Sequence, residues 1–464
     1  MNTLRFTCSA VAMLAASPVL AQSPAEPDLE ELVRQQAAEI AELRVRLDRL
    51  EHERDGVAAD AETQQMAQID PAADAEQTSA SGVVADWGDG LPTFRSANGT
   101  YTFKPRGRIL ADVSSTFGSR YDARNHTATG MRALRMGVEG GVGRRFFYQF
   151  EADFSDNDID VASAFLGWRD SIGSEMAYDI RVGHVFNDRS FEGSTSSDAT
   201  PFLERSVVAT AIIPQRGSYG MGAMSRLFWD NGHVSLAVTG DRLDGNQNTG
   251  DSRIVMTRVH WNPVKSNRAL MHIGLWGFDE YLSPGATNLA RNTSIGGRFN
   301  DALRVSTGAL SGGRSTTGFG AELGAFAGPA WAMAEFGERR ARLDAGRSDF
   351  LSEAWSLAGG WFVTGELPPY GSRTGNFGQP NVLNSVFKGG PGAIELTARY
   401  ENIDYTSLVK GGEGWAATIG TNWYLNDFTR LQFNWVHWNT DNQSGAFTGP
   451  DGGETIATRI GVTF

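Results

Sequence analysis

The side chains best suited to binding a solute in this 464-residue chain are its arginines. Lysine and arginine together number 41, and only Lys104, Lys265, Lys388 and Lys410 are lysines. A guanidinium group binds phosphate or carboxylate through two parallel hydrogen bonds. The net charge of −13 argues against nucleic acid as a partner. A cluster of arginines, if the fold forms one, could therefore bind such anions.

Other chemistry has little support in the sequence. None of the seven histidines stands at metal-ligand spacing from another, and Cys8 is the one cysteine. We therefore expect no metal and no cofactor. We interpret the histidines, including His260 and His272 on predicted strands, as surface or girdle residues, with His437 in a girdle between two tryptophans. A Ser–His–acid set around His437 would make the chain a hydrolase, but no pattern supports one, and we expect no enzymatic activity.

Strands must position the arginines, because alternation of apolar with polar or small residues begins near Thr100 and continues to Phe464. In the last segment, Glu454 to Phe464, isoleucines and Phe464 share one face while Arg459 lies on the other. The pattern predicts sixteen strands: 101–115, 130–141, 144–155, 160–169, 176–185, 217–226, 231–241, 252–262, 268–279, 316–326, 330–342, 353–366, 392–406, 412–424, 427–440 and 454–464.

The fold class predicted from these strands is all-β, a transmembrane antiparallel β-barrel, with a soluble sandwich as the alternative. Strands survive in lipid only when every backbone group is paired, as in a closed barrel. Two strands place aromatic residues outside and charged residues inside: Phe150 opposes Glu151, and Tyr400 opposes Arg399. Short turns alternate with long connections such as 280–315 and 367–391, which we assign to the periplasmic and outer sides respectively.

The segment before the barrel divides into three parts. Residues 1–21 read as a secretion signal peptide, with Arg5 before a small and apolar core. Residues 28–55 carry a heptad pattern that predicts a periplasmic coiled-coil helix, with a lone solvated helix as the alternative. Residues 56–99 are rich in Ala, Asp, Gln, Thr and Ser and predict a flexible linker. The barrel is then expected at 100–464.

The predicted barrel resembles the phosphate-selective porins O and P. The densest similarity is Gly183 to Val207, which matches the third-loop segment of that family. Three further motifs follow in order: Thr364-Gly365-Glu366 with Tyr370, Gly392-Ala393 with Glu395, Arg399 and Tyr400, and Gly420 with Asn422-Trp423-Tyr424 and Asn426.

The resemblance implies a trimeric porin whose third loop folds inward and forms the constriction. It implies an arginine ladder that draws anions along the inner wall. Arg108 matches this ladder, and alternation also points it inward beside Leu110. Arg132 matches by position, although strict alternation turns it outward, and Arg135 points inward without a match. Further candidates are ladder residues Arg298 and Arg304, pore-facing Asp153, and loop residues Glu204 and Arg205.

One departure from the family changes the expected selectivity. The third loop of the family carries two lysines where this chain has Gly193 and Asp198. Rings of charge set the selectivity of a narrow pore. Phosphate specificity is therefore not carried over, whereas a weaker anion preference could remain through the arginines.

Three functions fit the sequence. The first is an outer-membrane porin for passive diffusion of small anionic or polar solutes. The second is a structural barrel that bridges to peptidoglycan through its coiled coil, and the third is an enzyme barrel. The expected partners are outer-membrane lipid, two further copies of the chain and small solutes.

Overall fold

A computed structural model describes residues 82–87, 91–243, 250–266, 268–344 and 347–464. Sixteen strands form the main sheet: β3 (Tyr101–Phe117), β4 (Thr127–Val142), β5 (Phe146–Asp153), β6 (Asp160–Ile172), β7 (Met176–Phe186), β8 (Tyr219–Trp229), β9 (Gly232–Thr239), β10 (Arg253–Lys265), β11 (Ala269–Tyr281), β14 (Gly313–Ala327), β15 (Ala330–Leu343), β16 (Phe350–Phe362), β19 (Ala393–Asp404), β20 (Glu413–Tyr424), β21 (Thr429–Asn442) and β22 (Gly449–Thr463).

The remaining elements are short. Strands β1 (Val83–Asp86) and β2 (Thr93–Ser96) precede the main sheet, and the pairs β12 (Asn292–Ser294) with β13 (Arg304–Ser306) and β17 (Tyr370–Gly371) with β18 (Asn376–Phe377) lie in connections. Helices α1 (Phe191–Ser194) and α2 (Val207–Ala211) follow β7, and 3-10 turns lie at Asp122–Arg124 and Val386–Lys388. No helix among the described residues is long and apolar enough to cross a membrane.

The main sheet closes on itself. Each of the sixteen strands pairs antiparallel with its neighbour along the chain, and β22 pairs with β3 from Glu454↔Phe117 to Thr463↔Arg108. The sixteen-stranded antiparallel barrel predicted from alternation is therefore confirmed. Closure gives each of these sixteen strands a partner on both sides, as a lipid environment requires.

The two faces of the barrel wall differ as alternation predicts. On β19, Leu396 and Tyr400 are exposed on the outside, whereas Glu395 and Arg399 are buried inside. On β22, Ile460 is 52% exposed and the adjacent Arg459 only 1%. The outer face thus presents large apolar side chains to lipid, and the charged side chains are turned into the lumen.

The first two strands lie within the range 56–99 that the sequence predicts as a flexible linker. Strand β1 pairs with β2, and β2 pairs with the start of β3 through Phe94↔Phe103 and Arg95↔Thr102. The C-terminal part of this range is therefore a β-hairpin that extends the barrel sheet. The predicted signal peptide 1–21 and coiled coil 28–55 lie outside the described residues.

The long connections are not all at one end of the barrel. Because strands alternate in direction, the connection 363–392, which follows the twelfth strand of the barrel, lies at the same end as the short turns 328–329 and 425–428. We call it the turn-end connection. The prediction that 367–391 is an outer loop was wrong. It considered only the length of the connection and not the number of strands that precede it, which decides the end of the barrel. The connection 282–312 lies at the opposite, long-loop end.

Phe464 completes the closing seam, and its loss should weaken the barrel. The backbone N–H of Phe464 donates to Gly107 (3.0 Å), and the N–H of Gly107 donates to Phe464 (2.8 Å). The ring lies so close to Gly107 that an added Cβ there would be 2.6 Å from it. Deleting Phe464 should remove both hydrogen bonds, worth about 1 kcal/mol each, and lower the folded fraction in heat-modifiability electrophoresis. Phe464→Tyr, which keeps the bonds and the ring, should fold normally; equal yields for both variants would contradict this account.

Candidate functional site

A single connection fills the middle of the barrel. Residues 187–218, between β7 and β8, are mostly buried and contain α1 and α2; we call this segment the inserted loop. Serines cap both short helices: Ser190 Oγ accepts a hydrogen bond from the N–H of Gly193 (3.0 Å), and Ser206 Oγ accepts one from Ala209 (3.4 Å). These caps satisfy backbone donors that would otherwise be orphaned inside the protein.

Aromatic packing fixes the inserted loop to one side of the wall. Phe191 is fully buried between strands β14 and β15 and the turn-end connection. Its ring lies 4.8 Å from that of Phe377 and 6.5 Å from that of Phe326, measured between centroids. Burial of one such ring contributes on the order of 2 kcal/mol relative to exposure. The loop is thus anchored by its first helix.

Hydrogen bonds fix the other side of the inserted loop to β20 and β21. The side-chain amide of Asn422 donates to the carbonyl of Pro201 (2.8 Å), and Asn434 Oδ1 accepts from the N–H of Leu203 (2.9 Å). Gln432 donates to the carbonyl of Thr200 (3.2 Å). Sequence reasoning did not assign these wall residues a function, although Asn422 belongs to the quoted Asn-Trp-Tyr motif.

Arg205 donates its hydrogen bonds to backbone carbonyls of the inserted loop rather than to a carboxylate. Its guanidinium donates to the carbonyls of Glu192 (3.0 Å) and Thr195 (2.9 Å). The carboxylate of Glu192 accepts from the N–H of Ser206 (2.6 Å) and from Arg399 (3.2 Å). Burial raises the pKa of Glu192, and Arg399 opposes that rise. Arg205 and Glu192 together hold the two halves of the loop to each other.

Arg108 meets the inserted loop at Asp198. The guanidinium lies 2.6 Å from the carboxylate of Asp198 and 3.3 Å from that of Glu151, and all three side chains are buried. Burial alone would raise the pKa of Asp198, but the charge of Arg108, the hydrogen bond from Ser196 and the charge of Arg430 together outweigh burial and hold the pKa below its usual range. Asp198 therefore stays ionised and neutralises Arg108.

Arg132 also faces the lumen, contrary to strict alternation. A β-bulge on β4 lets Ala133 pair with Leu110 and Met131 with Ala111, so Arg132 is the extra residue. The bulge turns its side chain inward, where it lies 2.6 Å from Glu204 of the inserted loop. Burial would raise the pKa of Glu204, but the charges of Arg132, Arg459 and Arg298 lower it to about 2.

Arg135 is paired on the wall itself. It lies 2.9 Å from Glu151 and 2.7 Å from Asp153. Deeper along the seam, Arg459 lies 2.7 Å from Asp112. The structure thus places the predicted arginines 108, 132 and 135 on one continuous stretch of the inner wall, each beside a carboxylate. The sequence did not predict these pairings, because the partners come from other strands and from the loop.

Arg298 and Arg304 lie in the connection 282–312 and line a cavity of about 580 Å³ above the inserted loop. Arg304 pairs with Asp301. Arg298 is exposed to this cavity and makes no ion pair with any carboxylate in the described part of the chain. Glu204 and Arg205 of the inserted loop and Asp112 and Arg399 of the wall line the same cavity. Arg298 and Arg304 therefore lie beside the charges of the wall, on the side of the long-loop entrance.

There is no open space for a side chain at Gly193. A Cβ built there would lie 2.7 Å from Cγ of Arg189 and 2.7 Å from Oγ of Ser190. A side chain at this position would have to displace Arg189, which is itself buried. Of the two positions where the family carries loop lysines, only Asp198 contacts the arginine wall.

The histidines are not all surface or girdle residues, and this interpretation was wrong. His233, His260 and His272 are fully buried on the inner wall of β9, β10 and β11. His233 and His260 contact each other through their Nδ1 atoms, and His272 lies 2.8 Å from Glu322. They face inward because the lumen is filled there by the turn-end connection. No group of three His, Cys, Asp or Glu residues among the described ones is arranged to hold a metal ion.

The turn-end connection reaches into the barrel and contacts the inserted loop from below. Asn376 donates to the carbonyl of Ser194 (3.0 Å), and the N–H of Phe377 donates to Thr195 Oγ1 (3.2 Å). Gln379 donates to the backbone and to the carboxylate of Asp198, both at 3.0 Å. The inserted loop is therefore supported by strands at its sides and by a connection from the opposite end.

A closed sixteen-stranded barrel with an apolar outside, a charged lumen and a loop folded inside defines an outer-membrane porin. Residues 103–464 match the family described as phosphate-selective porin O and P. The chain belongs to this family, and its place is the outer membrane.

Two relatives match along most of the chain. Porin O of Pseudomonas aeruginosa is 26% identical over 404 residues, which cover 78% of this chain and 89% of Porin O. An uncharacterised protein of Caulobacter vibrioides is 27% identical over 469 residues, which cover 92% of this chain and 90% of that protein.

Among solved structures, an anion-selective porin from Comamonas acidovorans superposes with a TM-score of 0.46 at 12% identity, covering 78% of this chain and 100% of that one. The outer-membrane channel DcaP of Acinetobacter baumannii gives 0.45 at 11% identity, covering 80% and 99%.

Phe191 should be the main apolar anchor of the inserted loop. Phe191→Ala removes a fully buried ring, which in cores costs about 3 kcal/mol or more, and should let the loop move from the lumen. We expect a larger and noisier single-channel conductance in planar bilayers. Phe319→Ala makes the same change on the outer face, where Phe319 is 54% exposed, and should conduct as the parent does. Equal, unchanged conductance in both variants would show that the aromatic cluster does not hold the loop.

Proposed function

We propose that this porin passes small solutes by passive diffusion with a modest preference for anions, and that it does not select phosphate. The observation that carries the proposal is the ion pair between Arg108 and Asp198 at the inserted loop. A cation that is paired at 2.6 Å attracts a passing anion much less than an unpaired one, because the two fields largely cancel beyond a few ångströms.

The charges along the wall support a weak preference. Arg108, Arg132, Arg135 and Arg459 contact carboxylates of the wall or loop, which are Asp112, Glu151, Asp153, Asp198 and Glu204. Arg106 on the same wall also contacts Glu151 (3.1 Å) and Glu139 (2.6 Å), so five arginines face six carboxylates in this stretch and their charges nearly cancel. The unpaired charge of Arg298 at the entrance supports attraction of anions from outside, and Arg205 adds a cation whose guanidinium is bonded to carbonyls.

We further propose that the functional unit is a homotrimer, as the family resemblance implies. The outer face of each barrel carries enough exposed apolar area for lipid and for two neighbours, with Ile109, Val113 and Ile460 exposed around the closing seam. Cross-linking of the purified protein in detergent should give a three-chain product; a single-chain product at all concentrations would contradict the trimer.

Removing the carboxylate of Asp198 should strengthen the anion preference. Asp198→Asn keeps a side chain that can form a hydrogen bond with Arg108, but it removes the negative charge that neutralises Arg108. A unit charge about 5 Å from the ion path contributes on the order of 1 kcal/mol in water, so the anion-to-cation permeability ratio should rise about fourfold. The measurement is the reversal potential of the purified protein in a potassium chloride gradient.

A matched variant separates this effect from a change in total charge. Asp230→Asn removes one carboxylate from a short turn, where the Asp230 side chain is 84% exposed and pairs with Lys265, and should leave the reversal potential unchanged. If Asp198→Asn also leaves it unchanged, the ion path does not pass Arg108 and the proposed selectivity is wrong. A parent protein that strongly prefers cations would overturn the anion preference itself.

A further inference from the structure

The inner wall of β5 to β8 carries a second group of arginines, between the inserted loop and the short turns. Here guanidinium groups and phenyl rings alternate. We call this group the arginine–phenylalanine belt, and it consists of Phe147, Phe165, Arg169, Arg181, Phe228 and Arg373. Five of these residues come from strands, and Arg373 comes from the turn-end connection.

Stacked contacts form two groups within the belt. The guanidinium carbons of Arg169 and Arg181 lie 5.1 and 5.7 Å from the ring centre of Phe147, and Arg181 lies 4.8 Å from that of Phe165. In the second group, Arg373 lies 3.9 Å from the ring centre of Phe228. Attraction between a guanidinium and the face of a ring holds each arginine close to its neighbouring ring.

The charge of the belt is not cancelled as it is beside the inserted loop. Asp179 lies 2.6 Å from Arg226, which also stacks on Phe228, and 3.5 Å from Arg181. Arg169 and Arg373 are exposed to the lumen and make no ion pair with a carboxylate of the described residues. Among the described residues, Asp179 is thus the one carboxylate that forms an ion pair with any of the three belt arginines or with the adjacent Arg226.

The positive charges of the belt arginines and of the adjacent Arg226 also repel one another. Partial burial lowers the pKa of Arg373, and the positive charges of Arg226 and Arg169 lower it further. A bound anion would relieve this repulsion. The guanidinium of Arg373 lies 3.9 Å from the centre of the Phe228 ring, and the residue is exposed, so its N–H groups are available to bind a carboxylate with two hydrogen bonds.

We propose that the belt is a binding site for planar aromatic carboxylates that pass through the channel. The unpaired guanidinium groups supply the carboxylate contacts, and the exposed side chain of Arg373 and the partly buried Phe147 ring supply surface for stacking. An inorganic anion uses the charge but gains nothing from the rings. This inference rests on the proposed function, because it names the solute class of that channel.

The first test measures binding to the folded protein in detergent, without conduction. Saturation-transfer NMR with benzoate and with cyclohexanecarboxylate compares two anions of the same charge and similar size, of which only benzoate is planar. Benzoate should bind about threefold or more tightly, the gain expected from one additional ring–cation stack. Equal binding of the two, or phosphate competing as well as benzoate does, would overturn the aromatic preference.

Variants locate the site. The double variant Arg169→Gln with Arg373→Gln should weaken benzoate binding at least tenfold, and Phe147→Leu should remove the difference between benzoate and cyclohexanecarboxylate. Arg268→Gln is the matched control, since Arg268 is exposed at a short turn on the same end of the barrel. Heat-modifiable mobility on gels shows that each variant is folded, and unchanged benzoate binding in the folded double variant would exclude the belt.

A separate measurement distinguishes failure of this inference from failure of the proposed function. The reversal potential and conductance of the same preparations report on the channel. A conducting, weakly anion-selective protein that binds both carboxylates equally would refute the belt alone. A protein that binds benzoate but shows no conductance would refute the channel while keeping the binding site.

Discussion

The structure depends on one constraint, which is that no backbone N–H or C=O of the membrane-crossing part can remain unpaired in lipid. The pairing of β22 with β3 satisfies it by joining strands from the two ends of the sheet. Closure then dictates the rest. Side chains alternate between lipid and lumen, so every charged residue that the strands carry must be accommodated inside. The dense network of lumen ion pairs is a consequence of the closed wall as much as of any requirement for transport.

The inserted loop shows how the lumen charges are organised. Carboxylates of the loop form ion pairs with the wall residues Arg108 and Arg132. Carboxylates of the wall form ion pairs with Arg135 and Arg459. A charge removed from water is tolerated when a partner lies within contact distance. The same ion pairs therefore help to hold the loop and, under the proposed function, set the residual field in the pore. Phe191 and the amides of Asn422 and Asn434 anchor the loop as well, so a change of one loop charge does not remove its anchors.

Alternation was sufficient to predict the sixteen strands and which face of each meets lipid, because the period of two is imposed by the backbone itself. It failed at Arg132, where a bulge shifts the period by one, and a single sequence gives no sign of that bulge. It failed for the histidines because a girdle and a lumen filled by a folded connection both accept aromatic rings. The turn-end connection was placed wrongly although the strand count contained the answer. Ion pairs between residues such as Arg108 and Asp198 depend on how the loop folds, so residue type alone could not reveal them.

The pairing of Arg108 with Asp198 has a consequence for how such channels diversify. An aspartate codon becomes an asparagine codon by one base change, and asparagine can occupy the same place without moving the backbone. The arginine stays in position in either case, because Glu151 holds it from the wall at 3.3 Å. Under the proposed function, a single substitution at this loop position would change which ions pass, while the barrel itself remains unchanged. Arg108 therefore keeps its position and its charge whether or not a carboxylate at position 198 neutralises it.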